Sequence, residues 1–383
     1  MLAVRVTERP FESRLLAVLV VVLGACDGAP PPDAGPTETD AGGDAGQVEG
    51  DSGLDGGETP GDCQGPPGLY MPGSCDVLAV GVRAYRPRYV LWSDGADKER
   101  FVYLPPGTLI DTTNPDDWAS PLGTRIYKTF SHDGVRLETR LLEKHSNDVG
   151  PNAWYMRTFA WNAAQDRVTE VTEADESIRE NVLGTDHDIP SGPQCRECHS
   201  GTLDVVNSFT AIQLNHDDGS LTLQTLLDEG WLTAPIDPAD AQVPGTPTEA
   251  QALGYLHANC GNCHRTTPTP VNPTACRTAA CATGLHMWVN TDLATVGETA
   301  AYQTAVAVPH SYFHADMPEN SLCRVHPGQP DLSVVHFRMA HPRGDSAQMP
   351  PLGTELNHAE GIATIRAWIS GLSVDATPCL PVP

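Results

Sequence analysis

The pentapeptide Cys-x-x-Cys-His occurs twice. It stands as Cys195, Cys198 and His199 in "QCRECHS", and as Cys260, Cys263 and His264 in "ANCGNCHR". This repeat constrains the chain more than any other feature. On a helical turn, positions i, i+3 and i+4 share a face, so two thiols and an imidazole are presented together. Composition gives roughly 0.01 such occurrences by chance in this chain. Two of them call for a chemical explanation.

Four readings compete. A zinc site takes four N/S ligands, and Cys195, Cys198, Cys260 and Cys263 supply that number. It leaves unexplained why a histidine follows both second cysteines. A thioredoxin-like redox pair also needs no histidine there and sits near a βαβ unit. Plain disulfides are the simplest alternative. The fourth reading is covalent c-type haem, iron included, in which both thiols add to the porphyrin vinyl groups and the next residue is the proximal iron ligand. Only this reading uses Cys195, Cys198, His199, Cys260, Cys263 and His264 together, and it leads.

Compartment bears on the choice. Arg5, Arg9 and Arg14 precede an apolar run from Leu15 to Gly24. The run is shorter than the roughly 20 residues that span a bilayer. A basic start, a short apolar stretch and small residues at its end make a secretory signal over residues 1–25, with an uncleaved anchor helix as the alternative. Leu23-Gly24-Ala25-Cys26 resembles the lipobox of bacterial lipoproteins. That resemblance implies lipidation of Cys26, which would become the mature N-terminus. Residues 26–62 hold ten acids between Asp27 and Asp62 and no Lys or Arg. Such a segment buries too little apolar surface to order itself and is expected to be a disordered acidic tether.

The whole chain carries a net charge of −26. Removing residues 1–25 takes away three arginines and two glutamates, leaving −27; removing the ten tether acids leaves −17. Nucleic acid is excluded as a partner class, because that affinity depends on Lys and Arg neutralising phosphates. A basic redox protein suits this surface. Of the eleven cysteines, six stand outside the motifs and Cys26: Cys63, Cys75, Cys276, Cys281, Cys323 and Cys379. An even remainder in an exported chain points to three disulfides. Sequence proximity favours Cys63–Cys75 and Cys276–Cys281, leaving Cys323–Cys379, among 15 possible connectivities.

The second motif has a readable setting. Thr246, Pro247 and Glu249 make an N-cap, a first-turn proline and a capping-box acid, and Leu253, Leu256 and Cys260 fall on one stripe. The motif is expected to end a helix. Near the C-terminus Met349 precedes two prolines in "QMPPLG". Asn357 with Glu360 reads as an N-cap pair, and Ile362, Ile365, Ile369 and Leu372 mark a helix face that Gly371 closes. A helix ending in the motif, then a Met-Pro loop and a terminal helix, resembles a class I cytochrome c domain. The resemblance implies packing of the two helices and makes Met349 the distal ligand. Met317 is the rival, and a gap-filling methionine is the plain alternative. Eighty-four residues separate His264 from Met349, an insert that would shield the haem edge or form a partner site. Pro268, Pro270 and Pro273 are candidates for a carbonyl that orients His264. For the first motif His187, His216, Met156 and Met287 are candidate distal ligands, with none preferred.

From Asp76 to Thr185, alternating and aromatic/β-branched runs punctuated by Asp-Gly and Pro-Gly predict an antiparallel β domain of roughly six to eight strands. Trp92, Tyr103, Trp154, Tyr155 and Trp161 are expected in core and edge packing. Arg125, Lys128 and Arg140 are expected on solvated strand faces, and Asp94, Asp97 and Glu99 as a solvated cluster.

Taken from Tyr85 to Leu372, the phrases "LWSDGADKERFVYLPPGT", "PLGTRIYKTF", "ETRLL", "IPSGPQCRECHSG", "YLHANCGNCH" and "QMPPLGTELNHAEGIATIRAWI" resemble a bacterial family of diheme c-type cytochromes. The resemblance implies two covalently bound haems and electron transfer in the cell envelope, with the lipid-anchored protein facing the periplasm or the outer surface. It supplies no substrate and no named redox partner. The expected fold class is α+β: a β-rich domain over 63–185, a first c-haem segment over 186–243 and a mainly α-helical cytochrome c-like region with an insert over 244–383. The leading expectation is an electron carrier without catalytic residues. The alternative is a peroxidase-like diheme oxidoreductase with one five-coordinate haem.

Overall fold

The computed structural model describes residues 62–171, 179–190, 192–266, 275–344, 346–351, 354–373 and 379. The expected signal segment, Cys26, and Pro268, Pro270 and Pro273 lie outside the described residues, as does the tether except for Asp62. The fold is mixed α+β. Six strands form one antiparallel meander in sequence order: β1 (Val82–Tyr85), β2 (Asp97–Tyr103), β3 (Arg125–His132), β4 (Val135–Lys144), β5 (Trp154–Trp161) and β6 (Val168–Val171). The β3–β4 hairpin closes through Asp133-Gly134, both at positive φ (48° and 80°). Asp-Gly favours this tight turn because both central residues need the left-handed region.

Both faces of the sheet are buried, which explains strands that do not read as polar on one side. On one face Phe101, Tyr127, Leu141 and Phe159 pack with Leu69, which belongs to an N-terminal segment closed by Cys63–Cys75. On the other, Val102, Ile126, Leu142, Trp154 and Met156 join Phe209, Leu214, Leu221 and Leu226 from the chain that follows the first motif.

Among the described residues eight α-helices follow. The first three are α1 (Gly192–His199), α2 (Ala211–Leu214) and α3 (Leu223–Asp228). Then come α4 (Pro247–Asn259), α5 (Ala279–Ala282), α6 (Ala300–Ala305), α7 (Val334–Ala340) and α8 (Ala359–Gly371). α4 starts as its sequence predicts, with Thr246 and Glu249 in a reciprocal capping box and Pro247 in the first turn. It packs on α8. Leu253, Leu256, Ile365, Trp368 and Ile369 form the buried seam, all at most 1% exposed. A Cβ on Gly361 would overlap the Tyr255 ring, so the close approach of the two helices requires glycine there.

The cap expected for α8 is not formed. His358, not Asn357, stands at the cap and makes no capping bond. Asn357 instead donates Nδ2–H to the Ala340 carbonyl (3.0 Å), and the His358 ring stacks on Trp92 at 4.1 Å. A long-range contact replaces a local one here. Trp92 also donates its backbone N–H to Asn259 Oδ1 (2.8 Å) and its indole N–H to Leu356 O (3.1 Å). Asp94, expected to be solvated, is 7% exposed and accepts the backbone N–H groups of Glu355 and Leu356, both at 2.8 Å. The "LWSDG" stretch therefore clamps the loop that precedes α8.

Disulfides join Cys63–Cys75, Cys276–Cys281 and Cys323–Cys379. Among the described residues no helix is long and apolar enough to cross a membrane.

Trp368 is 1% exposed at the centre of the α4–α8 seam. Trp368→Ala is expected to cost about 3–5 kcal/mol through lost transfer energy and a residual cavity. Chemical denaturation with the disulfides intact would measure it.

Candidate functional site

The first motif occupies α1, so Cys195, Cys198 and His199 lie one turn apart on one face of a helix. His199 is fixed from behind: its Nδ1 donates to Val205 O at 2.7 Å. Val205 is fully buried and sits at φ +60°. A β-branched residue there is strained, by on the order of 1–3 kcal/mol, and persists only if its surroundings impose it. The surroundings are those of Asp204. Its carboxylate accepts Lys144 Nζ at 2.5 Å, Trp154 Nε1 at 2.8 Å and Ser120 N at 2.7 Å. Lys144 and Asp204 side chains are 1% and 2% exposed. β4 and β5 thus pin the turn that aims a carbonyl at His199.

The second motif follows α4 as a single unpropagated turn, with Cys263 N and His264 N donating to Cys260 O at 3.1 and 2.8 Å. His264 Nδ1 donates to Leu285 O at 3.1 Å. The orienting carbonyl expected from a nearby proline is supplied by Leu285. Thr278 Oγ1 donates to Cys263 O and Met287 N to His264 O, so the Cys276–Cys281 loop and the segment after it strap the motif.

The two motifs touch. The Cys263 thiol donates to Glu197 O at 3.8 Å, and its interaction with Cys198 draws the Cys198 thiol down and pushes Cys263 up. Burial pushes Cys260 up to about 12. A Cβ on Gly201 would overlap Asn262 O, so only glycine allows the chain after His199 to lie against the second motif. All four motif cysteines carry thiols rather than disulfides.

One cavity of about 1180 Å³ is lined by Cys195, Cys198, His199, Cys260, Cys263, His264 and Met349. It exceeds the roughly 300–1,000 Å³ of ordinary small-molecule sites. In both histidines the Nδ1–H is committed to a carbonyl, which leaves the Nε2 lone pair as the ligand atom. Burial pushes the His199 imidazole down to about 4 and lowers that of His264 as well, so both are neutral donors at pH 7. The donor set fits iron porphyrin: two thiol pairs, an imidazole beside each, and the thioethers of Met156, Met287, Met339 and Met349. Met349 lines the cavity; Met317 is not among its lining residues.

Of the other candidates, His187, Met156 and Met287 line the cavity and His216 does not. His216 bonds Arg86 O through Nε2 (2.6 Å). Met287 is part of the His264 strap, its N–H donating to His264 O, and lies beside the second motif. His187 Nε2 bonds Glu138 Oε1 at 2.8 Å, both groups being buried. Burial alone would raise the Glu138 carboxyl; Arg140 and His187 outweigh it and hold it at about 2.

Two expectations for the β half are corrected. Lys128 and Arg140 line the cavity rather than a solvated face, because the sheet face they share faces the two Cys-x-x-Cys-His segments. Arg125 behaves differently, lying over the Tyr103 ring at 4.3 Å. Sequence reasoning also missed His314, Asp316 and His341, whose ligand atoms lie within 4.8 Å of one another. Among the described residues this is the only group of three or more such side chains close enough for one ion. The four motif sulfurs therefore do not converge as a zinc site requires. Comparisons with protein-family models, curated proteins and solved structures found no match to the chain.

Asp204→Asn is expected to leave Lys144 buried and unpaired, costing about 3–5 kcal/mol, whereas the double change Asp204→Leu with Lys144→Met should recover most of that loss. Denaturant midpoints of the three variants would check this.

His257, 1% exposed, accepts Val289 N–H through Nδ1 at 3.0 Å. Burial pushes its imidazole down to about 3. The unfolded chain thus binds a proton that the folded chain refuses. The stabilising effect is complete above about pH 6.5 and is lost as pH falls towards 3. Unfolding free energy measured from pH 7 to 4 should fall, and His257→Gln should flatten that slope.

Proposed function

We propose that this protein is a lipid-anchored diheme c-type cytochrome that carries electrons in the bacterial cell envelope. One observation supports this above all: both Cys-x-x-Cys-His motifs open onto one large cavity with their thiols unoxidised and their imidazoles held for Nε2 ligation. Bound haem supplies a one-electron iron couple. Cys195 and Cys198 would hold one porphyrin and Cys260 and Cys263 the other, through thioether bonds. His199 and His264 would ligate iron. Met349 would complete the second site and raise its potential. The α4–α8 pair with the Met349 loop is the class I cytochrome c-like part of the chain, and Cys26 carries the lipid. The approach of Cys263 to Cys198 and Glu197 would favour electron exchange between groups held by the two motifs. The negative surface suits a basic redox partner.

A second reading has its own support. Glu138 and His187 form a buried acid–base pair, and His187 lines the cavity. Such a pair beside an open iron position suits a peroxidase-like oxidoreductase.

Optical and electron paramagnetic resonance spectra of the matured protein separate the two. The carrier reading predicts two low-spin centres and no peroxide turnover. It also predicts that Met349→Leu lowers one potential by on the order of 0.1 V, within the roughly 0.8 V span that axial ligands command. One high-spin centre with peroxide turnover abolished in His187→Gln would replace it with the enzyme. Met349→Leu leaving both potentials unchanged would remove Met349 from the ligand set.

A further inference from the structure

Across five strands of the sheet, one row of paired positions reads Tyr85, Arg100, Lys128, Arg140 and Thr158. All five line the cavity. Directly paired residues stand about 5 Å apart at Cβ, so three cations are packed side by side. Arg140 is neutralised by a bidentate bond to Glu138 (3.0 and 2.5 Å). The other two are not neutralised. Arg100 is 3% exposed, and its Nε and Nη2 are buried with no hydrogen-bond partner. Its one bond, from Nη1 to Lys98 O, is long at 3.4 Å. The Lys128 ammonium lies over the Phe130 ring at 4.7 Å and makes no ion pair among the described residues. Buried unpaired charge is strongly disfavoured, and like charges directly opposite on a sheet destabilise it further.

The surroundings have the same sign. Eight Lys and Arg side chains line the cavity against two carboxylates, in a chain whose net charge is −26. The buried acid at this wall, Glu138, is already engaged by Arg140 and His187.

We propose that Arg100 and Lys128 form a carboxylate-binding site that holds a ligand with two negative charges against the sheet beside the first motif. The inference rests on the haem reading for one of its two sources. A porphyrin brings two propionates, one for each unpaired cation. A free dicarboxylate brings the same chemistry. Arg100 presents its planar donors to one carboxylate, and Lys128 meets the second as a point charge.

The test is a spectroelectrochemical titration of the haem-loaded full chain, wild type against Arg100→Gln and Lys128→Gln, with and without oxalate. With propionates in the site, each substitution lowers the potential of one centre and spares the other, by roughly 59 mV for each tenfold change in relative stabilisation of the two redox states. Oxalate then has no effect on wild type. With a free dianion in the site, oxalate shifts one wild-type centre with saturation, and each substitution weakens that binding at least tenfold. Arg100→Lys, which keeps the charge, should restore much of either response and guards against a folding defect. Potentials and oxalate response unchanged in both Gln variants would overturn the proposal. If the chain holds no haem, the functional reading fails, and calorimetry with oxalate alone decides: binding lost in Arg100→Gln keeps the site, and no binding to wild type removes it.

Discussion

The arrangement depends on one buried carboxylate. Asp204 gathers Lys144, Trp154 and the Ser120 amide, and so fastens two strands and a loop to the segment that follows the first motif. Without those bonds Val205 has no reason to hold φ +60°, and without that turn no carbonyl faces His199. A charge pair that contributes little net stability here fixes where an imidazole points. Fixing the Nδ1–H fixes the tautomer, and the tautomer makes Nε2 a ligand.

The rest of the architecture serves the same cavity. The meander gives one face to an N-terminal cover and the other to the motif segments. The α4–α8 seam positions the second motif, and "LWSDG" ties that seam's loop back to the sheet. Gly201 lets the two motifs meet. The cavity wall is cationic inside an acidic protein, a separation of charge that suits anionic groups within and a basic partner without.

Much of this could be read from the sequence where cause and effect are close in the chain. The capping box at Thr246 and Glu249, the Asp133-Gly134 turn and the neighbouring disulfide pairs are local, and the structure contains them. The motif residues stood out because their spacing is itself the chemistry. What escaped is long-range. Lys144 and Asp204 lie 60 residues apart, and Asp94 meets its partners more than 260 residues on. Nothing in "TRIYKTF" or "LETRLLEK" tells which face is open to solvent, so Lys128 and Arg140 were expected outside. The α8 cap was misread for the same reason: the Trp92 stack comes from the far end of the chain.

The most direct test of the central claim is a haem count by intact mass and pyridine haemochrome on protein matured with a c-haem assembly system. Cys195→Ala/Cys198→Ala and Cys260→Ala/Cys263→Ala would be measured beside wild type. The account predicts two covalent haems in wild type and one in each variant. No covalent haem in wild type, with the four thiols free or binding zinc, would contradict it.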